Sequence, residues 1–179
     1  MNIFLSAIGT DSGKTLISTL ICKALNYDYW KPVQSGEPRD TAFLESFDIK
    51  TFREKYLLKT PESPHAAAEK DGVKINVNEI KPPKDERLLI EGAGGLMVPL
   101  NDENVILDIP LHLDIPVILV SNIYLGSINH TLLSLEILKS KGVKVLGVIF
   151  NGNSNPDSER IIELKSGIHV LGRIPQFEN

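Results

Sequence analysis

The most informative local pattern reads SAIGTDSGKT, residues 6–15, and follows an apolar run at the N-terminus. It ends in Gly-Lys-Thr, as phosphate-binding loops do, but the ordinary loop, G-x-x-x-x-G-K-[ST], has a glycine where Ile8 stands. Gly9 and Gly13 can still supply the backbone freedom that a tight anion-binding turn needs. The stretch therefore predicts a phosphate site of an unusual kind between a first strand and a first helix.

Two side chains at the end of this loop suit that chemistry. Backbone N–H groups at a helix N-terminus point at a bound phosphate, and Lys14 adds a positive charge. The Thr15 hydroxyl can reach Mg2+. A bare Gly-Lys-Thr is also compatible with a simple turn and a solvated lysine, but its position between a strand and a helix favours the nucleotide site.

Composition limits the other classes of function. The chain has 179 residues, of which 42% are hydrophobic, and is expected to form one domain over residues 1–179. Its net charge is -4 and it has no long basic run, which argues against a nucleic-acid partner. No apolar stretch approaches the roughly 20 residues that cross a bilayer, and no leader is recognised, so a cytoplasmic location is expected. The lone Cys22 falls on the apolar face of a predicted helix and is expected to be inert.

Aliphatic runs alternate with stretches of helical spacing. The runs predict strands within residues 2–8, 87–91, 116–121 and 143–150, with two more in YDYWKPV and GIHVLGRI. TLISTLICKAL and NHTLLSLEILKSKG predict helices, the second ending at Gly142. This alternation predicts a three-layer α/β fold with a mostly parallel central sheet of six or seven strands flanked by helices. The irregular residues 48–86 are expected to cover the ligand crevice.

Three polar residues follow the predicted second strand. Lys31 and Ser35 lie in WKPVQSG, where a strand end meets the crevice, and Asp40 begins the helical pattern DTAFLESF. Each has a plainer interpretation, because lysines before turns are commonly solvated and aspartate is a frequent helix N-cap. On these residues alone, both interpretations stay open.

A carboxylate and a group of glycines end the next predicted strand. Glu91 follows an apolar run and precedes Gly92, Gly94 and Gly95. A carboxylate facing a phosphate loop is suited to hold a metal ion or its waters, whereas the plainer interpretation is a charge leaving the sheet. The glycines favour the first, since they let the backbone approach a ligand closely. Further on, YLGSINH opens a long helix and offers a second anion-ready helix end.

Together these motifs resemble dethiobiotin synthetases, the ATP-dependent ring-closing enzymes of biotin synthesis. Their loop reads like G-T-D-T-x-V-G-K-T, and AIGTDSGKT aligns with it without a gap, with Ala7 at the family's first glycine and Gly9 at its aspartate. The similar pieces run from residue 3 to about 177 and are KPVQSG, SPHAAA, EGAGGLMVPL, PVILVSNIYLGSINH, VIFNGN and GRIP. The resemblance implies a P-loop NTPase-like fold forming a single synthetase domain.

The resemblance also implies roles for individual residues. Thr10, Lys14 and Lys31 would be catalytic, and Thr15, Asp40 and Glu91 would surround Mg2+. The residues implied to bind ATP are Asp11, Ser12, Gly13, Lys14, Thr15, Leu16, Asp40, Glu91, Gly92, Ala93, Gly94, Asn151, Gly152, Pro175, Gln176 and Phe177. The residues implied to bind the other substrate are Ser35 and, from the partner chain of a homodimer with a shared active site, Leu125, Gly126 and Asn129.

The implied reaction joins CO2 to the two neighbouring amines of 7,8-diaminononanoate, consumes ATP, and gives a cyclic urea. An amine captures CO2 as a carbamate, ATP converts it to a carbamic-phosphoric anhydride, and the second amine closes the ring. This chemistry requires positioning and charge neutralisation, which Lys14, Lys31 and Mg2+ can supply, and no covalent nucleophile.

Two other classes of protein carry a similar phosphate loop. A partitioning or nitrogenase-reductase type of ATPase acts as a dimer switch and carries an extra lysine at the head of the loop, where Gly9 stands here. A regulatory nucleotide-binding module would have no use for Lys31, Ser35 and the LGSINH helix end together. Both considerations favour the synthetase.

Overall fold

The computed structural model describes residues 1–84 and 87–176, and strands dominate its centre. The strands of the described residues are β1 (Ile3–Ala7), β2 (Asp28–Trp30), β3 (Val33–Ser35), β4 (Thr51–Phe52), β5 (Tyr56–Leu58), β6 (Leu88–Gly95), β7 (Val117–Asn122), β8 (Val145–Asn151) and β9 (Val170–Ile174). Seven of them form one parallel sheet in the order β4-β2-β6-β1-β7-β8-β9. The predicted parallel sheet is confirmed.

Helices lie on both faces of this sheet. The helices of the described residues are α1 (Lys14–Leu25), α2 (Asp40–Glu45), α3 (Pro64–Lys70), α4 (Asp108–Leu113), α5 (Ser127–Ser140) and α6 (Pro156–Ser166), with a short 3-10 helix at Val77–Glu79. Residues 48–84 are thus more regular than the sequence suggested. The three-layer architecture is the one that alternating strands and helices predict.

The core consists of two apolar layers, one on each side of the sheet. In β1, Ile3 and Leu5 face α1, while Phe4 faces the opposite layer, which contains Leu135 and Leu138 of α5. Successive side chains of a strand point to opposite faces, and here both faces are covered. This is why the strands read as continuous apolar runs in the sequence.

Two features of the strands differ from the sequence-based prediction. YDYWKPV is not one strand: β2 ends at Trp30, and Val33 begins β3, which pairs with β5 in a separate two-stranded sheet. The strand predicted to end at Glu91 continues to Gly95, which pairs with Ala7 of β1. Glu91 therefore lies inside β6 with no solvent exposure, and the interpretation of a charge leaving the sheet is wrong.

The helix ends follow the local sequence. Gly13 precedes α1 with a φ of 84°, a left-handed conformation that glycine adopts at low cost. After α5, Gly142 has a φ of 70°, and the N–H of Val143 donates to the carbonyl of Leu138 at 3.0 Å. This is the glycine-terminated helix end predicted for NHTLLSLEILKSKG.

Cys22 lies on α1 within the layer that faces the sheet and is 3% exposed. Burial raises the pKa of its thiol to about 12, with smaller contributions from the charges of Asp28 and Glu91. A protonated, covered thiol is inert, as expected. Within residues 1–84 and 87–176, no helix combines the length and the apolar character needed to span a bilayer.

We expect the Cys22 thiol to resist alkylation in the folded protein. At about pH 8, iodoacetamide should label the chain in urea but leave the native protein unlabelled, measured by intact mass. The only cysteine is Cys22, so any label reports on this site. Because the unfolded thiol titrates near 9.0 and the folded one at about 12, the free energy of unfolding should also fall as pH rises through this window. Rapid labelling of the native protein would contradict the buried position.

Candidate active site

The loop between β1 and α1 is held by its own side chains. The ammonium of Lys14 donates to the carbonyl of Gly9 at 3.2 Å, and the Ser12 hydroxyl donates to the same carbonyl at 3.1 Å. Burial lowers the pKa of Lys14, and the nearby charge of Lys31 acts in the same direction, while that of Glu91 opposes it. The first N–H groups of α1 have no partner within the helix and are available to an anion.

The loop packs against the end of β8 at Gly13. A side chain at this position would overlap the amide of Asn151, whose Nδ2 donates to the carbonyl of Ser12 at 2.9 Å. Its positive φ adds a second reason for glycine. The phosphate loop is thus fixed from the side as well as from within.

A cavity of about 690 Å3 opens beside the loop at the carboxyl ends of the strands. The predicted site residues that line it are Thr10, Asp11, Ser12, Gly13, Lys14, Thr15, Lys31, Ser35, Asp40, Glu91, Ala93 and Gly94. The structure thus brings the predicted phosphate, metal and catalytic positions together in one place. Such a crevice at strand ends is where ligands bind in parallel sheets.

Lys31 lies between two carboxylates at this cavity. It contacts Asp40, the first residue of α2, and its Nζ lies 3.4 Å from Oε1 of Glu91. The Asp40 side chain makes no capping bond, and Arg39 is the N-cap of α2, so the N-cap interpretation of Asp40 is wrong. Lys31 is 7% exposed, so the interpretation of a solvated lysine is wrong too.

The charge state of Lys31 follows from these contacts. Burial by itself would lower its pKa, but the charges of Glu91 and Asp40 and their hydrogen bonds outweigh burial and raise the pKa above its ordinary value. Lys31 therefore stays a cation at neutral pH. It is suited to stabilise negative charge and unsuited to accept a proton.

The donor set around the cavity fits a hard cation. Asp40 and Glu91 provide carboxylate oxygens and Thr15 a hydroxyl, all lining the same space, and Mg2+ prefers one or two carboxylates together with phosphate oxygens and waters. Across the described ranges, no cluster of three or more His, Cys, Asp or Glu side chains forms an all-protein metal cage. A cation at this cavity would need further ligands besides these three side chains.

The described residues that are expected to meet the adenine lie at the ends of β8 and β9. Asn151 ends β8 beside Ile174 of β9, and the N–H of Gly152 donates to the carbonyl of Ile174 at 2.9 Å. Pro175 and Gln176 follow directly. None of these four residues lines the cavity formed by the described residues, nor do Leu16 and Gly92. Phe177 lies outside the described residues.

The predicted contacts of the start of α5 are not made within one chain. Leu125 is fully exposed, and Gly126 precedes α5 with a φ of 110°. Asn129 lines a different cavity between α5 and the end of α6. These three residues would reach the cavity beside the phosphate loop only if they came from a second copy of the chain.

The structure adds site residues that the sequence analysis missed. Gln34, the segment Pro61–Pro64 and Val98 also line the cavity, the segment as expected for an excursion that covers the crevice. Behind the cavity, the Ser18 hydroxyl donates to Oε2 of Glu91 at 2.6 Å. Ser18 could have been found from its spacing, because it lies one helical turn after Thr15.

The parallel sheet and the Gly-Lys-Thr loop between β1 and α1 define a P-loop NTPase-like protein. Solved structures with this fold include a ParA family ATPase from Chlorobium tepidum, with a TM-score of 0.54 and 15% identity over 98% of this chain and 84% of that one. Another is the septum site-determining protein MinD from Pyrococcus horikoshii, solved with Mg-ADP, with a TM-score of 0.60 and 17% identity over 99% and 82%. At this identity the likeness concerns the fold.

Within this fold, the amino-acid sequence places the chain in a narrower group of proteins. A family profile described as "AAA domain" matches residues 1–179. An ATP-dependent dethiobiotin synthetase from Christiangramia forsetii is 47% identical over 97% of this chain and 86% of that protein. The one from Cytophaga hutchinsonii is 48% identical over 94% and 85%, and the one from Afipia carboxidovorans 41% over 97% and 86%. The chain belongs to the dethiobiotin synthetase family of ATP-dependent ligases, which confirms the resemblance.

Replacement of Gly13 tests the geometry of the loop. Gly13→Ala should weaken ATP binding, because the methyl group displaces Asn151 and distorts the loop. Gly72→Ala is a matched control: its φ is also positive, at 66°, but nothing lies within 4 Å of its added methyl. The control should lose about 1–2 kcal/mol of stability and bind ATP normally, by calorimetry. Equal ATP affinity for Gly13→Ala and the wild-type chain would contradict the proposed contact.

Proposed function

We propose that this chain converts 7,8-diaminononanoate, CO2 and ATP to dethiobiotin, ADP and phosphate, through a carbamate and a carbamic-phosphoric anhydride. The observation that carries the proposal is the position of Lys31, a buried cation held by Asp40 and Glu91 across one cavity from the phosphate loop. Membership of the dethiobiotin synthetase family supports the choice of substrates.

The loop and Lys14 bind the phosphates of ATP. The unpaired N–H groups of the first turn of α1 donate to phosphate oxygens, and Lys14 exchanges its bond to the Gly9 carbonyl for the transferred group. Thr10 lines the cavity on the same side. Holding the γ-phosphate in line with the carbamate oxygen supplies much of the catalysis, since this transfer needs little covalent chemistry from the protein.

Lys31 stabilises the charge of the carbamate. When an amine adds to CO2 it loses a proton to solvent and leaves a carbamate anion, and the ammonium of Lys31 at the same cavity would offset its charge. The carbamate oxygen then attacks the γ-phosphate, and ADP leaves. The second amine attacks the carbonyl carbon of the mixed anhydride, phosphate departs, and one proton is released. Ser35 lines the cavity with a buried hydroxyl that has no partner within the described residues, which suits it to the diamine.

Thr15, Asp40 and Glu91 would hold Mg2+, which neutralises charge on the β- and γ-phosphates. The fit rests on their oxygen donors and shared position at the cavity. Asn151, Gly152, Pro175 and Gln176 would border the adenine.

The direct test is product formation. Purified protein incubated with the diamine, bicarbonate, Mg2+ and ATP should form dethiobiotin, identified by mass, together with ADP. A dimer-switch ATPase, whose output would be a conformational change, should release ADP without the diamine. Hydrolysis of ATP that ignores the diamine, with no dethiobiotin, would favour that alternative.

Substitution of the two lysines should separate binding from turnover. Lys14→Ala should weaken ATP binding, whereas Lys31→Ala should lower kcat roughly 100- to 1,000-fold with a smaller change in ATP affinity. Because Lys31→Ala leaves Asp40 and Glu91 without their cation, Lys31→Arg serves as a charge-retaining control for folding. It should fold and bind ATP but turn over slowly, since the guanidinium cannot reproduce the same contacts. Normal turnover by Lys31→Ala would remove the assigned role.

We also propose that the active site is shared across a two-fold dimer. The start of α5 follows the exposed Leu125 and has the positive end of a helix dipole and first-turn N–H groups with no acceptor inside the helix, although that of Ser127 donates to the carbonyl of Tyr124. These features suit the distal carboxylate of the diamine bound by the partner chain. Asn129→Asp should place a negative charge beside that carboxylate and weaken diamine binding. It should fold, because acidic residues suit the first turn of a helix.

Mixing two inactive variants tests the shared site. In a hybrid of Lys14→Ala and Asn129→Asp, one site contains both lesions and the other contains neither. With equal and random subunit exchange, half the dimers are hybrids, so about a quarter of wild-type activity should return. If activity stays at the sum of the two variants while native mass spectrometry proves exchange, the shared site is wrong.

A further inference from the structure

We propose that Ser18 is a positioning residue that orients the carboxylate of Glu91 toward Lys31 and the cation. The inference rests on the proposed function, because it assigns Glu91 to the Mg2+ site. It concerns a side chain that is not among the described residues lining the cavity, so we assign it an action through Glu91 only.

The contact is short, buried and specific for one oxygen. The Ser18 hydroxyl donates to Oε2 of Glu91 at 2.6 Å, while Lys31 lies 3.4 Å from Oε1. Ser18 and Glu91 have no solvent exposure, so water does not substitute for either partner. The two oxygens of the carboxylate therefore have different partners.

This division fixes the plane of the carboxylate. With Oε2 bound to α1, rotation about the last bond of Glu91 would break a charge-assisted hydrogen bond inside the core. Oε1 consequently stays on the side of Lys31. Removing a residue that holds a metal ligand in place typically lowers the metal affinity about 10- to 100-fold.

The helix α1 links this contact to the phosphate loop. Thr15 and Ser18 are one turn apart on α1, so one rigid element supplies a hydroxyl to the cation site and a second hydroxyl to its carboxylate. The following residue, Thr19, is also buried, but its hydroxyl donates to the backbone carbonyl of Thr15 within the same helix, at 2.8 Å. Thr19 is therefore a matched control for the loss of a buried hydroxyl on α1.

The experiment measures Mg2+-dependent nucleotide binding and does not require turnover. The binding of the non-hydrolysable analogue AMPPNP is followed by calorimetry over a range of Mg2+ concentrations, with folding checked by circular dichroism and Tm. Ser18→Ala should raise the Mg2+ concentration at half-maximal effect about 10- to 100-fold and leave metal-free binding unchanged. Thr19→Val should leave the Mg2+ titration unchanged. Should Ser18→Ala fail to fold, Ser18→Cys keeps a weak donor and should give a smaller shift in the same direction.

A double-mutant cycle separates positioning from general damage to the helix. In a Glu91→Gln background, Ser18→Ala should cause no further shift, because the group it orients has lost its charge. A full additional shift in that background, or superimposable titrations for Ser18→Ala and the wild-type chain, would overturn the inference. Nucleotide binding by the wild-type chain that does not depend on Mg2+ would also overturn the inference.

A failure of the role assigned to Ser18 can be told apart from a failure of the proposed reaction. If the wild-type chain makes dethiobiotin and Ser18→Ala titrates normally, only the role of Ser18 is wrong. If the wild-type chain makes no dethiobiotin but the Mg2+ titration shifts as expected, Ser18 positions Glu91 in an enzyme with a different substrate.

Discussion

The site depends on one buried charge, the carboxylate of Glu91 inside the central sheet. An unpaired ion in such a position costs several kcal/mol, so its partners must be in place whenever the chain is folded. Those partners are Lys31, after β2, and Ser18, on α1, at 3.4 and 2.6 Å. The strand order places β2 beside β6, and α1 covers the same face. Forming the core therefore brings Lys31 to the cavity, and under the proposed function stability and catalysis rest on the same contacts.

The second constraint is the close approach of backbone segments around the loop. A side chain on Gly94 would lie 2.9 Å from Val98, and Gly94 has a φ of 73°, so this point of β6 favours glycine. A side chain on Gly95 would lie at ordinary contact distance from the backbone of Ala7 to Gly9, so β6 runs beside the loop. Asn151 makes the corresponding contact from β8 by occupying the space that a side chain on Gly13 would fill. The loop is thereby held on two sides before any ligand binds.

Much of the fold could be predicted because buried parallel strands are continuous apolar runs and helix ends carry local signals such as Gly142. The prediction was wrong where the deciding partner is distant in sequence. The strand predicted to end at Glu91 continues to Gly95, which pairs with Ala7 of β1. The residues alone left the N-cap interpretation of Asp40 open, and its contact with Lys31 decides against it. No local pattern predicts the separate β3–β5 sheet, and the spacing that places Ser18 one turn after Thr15 on α1 does not reveal its contact with Glu91, since each contact joins segments that are far apart in the chain.

The balance of charge explains why a nucleotide and its cation suit this site together. Lys14 and Lys31 carry two positive charges, and Asp11, Asp40, Glu62 and Glu91 carry four negative charges, so the charged side chains that line the cavity have a formal net charge of -2. A nucleoside triphosphate adds several negative charges to a partly buried space, where they are screened less than in water. Lys31 is already engaged by two carboxylates and cannot offset them alone. Under the proposed function, Asp40 and Glu91 would hold a divalent cation that offsets this excess, and the charge of Lys31 would then be available to the carbamate.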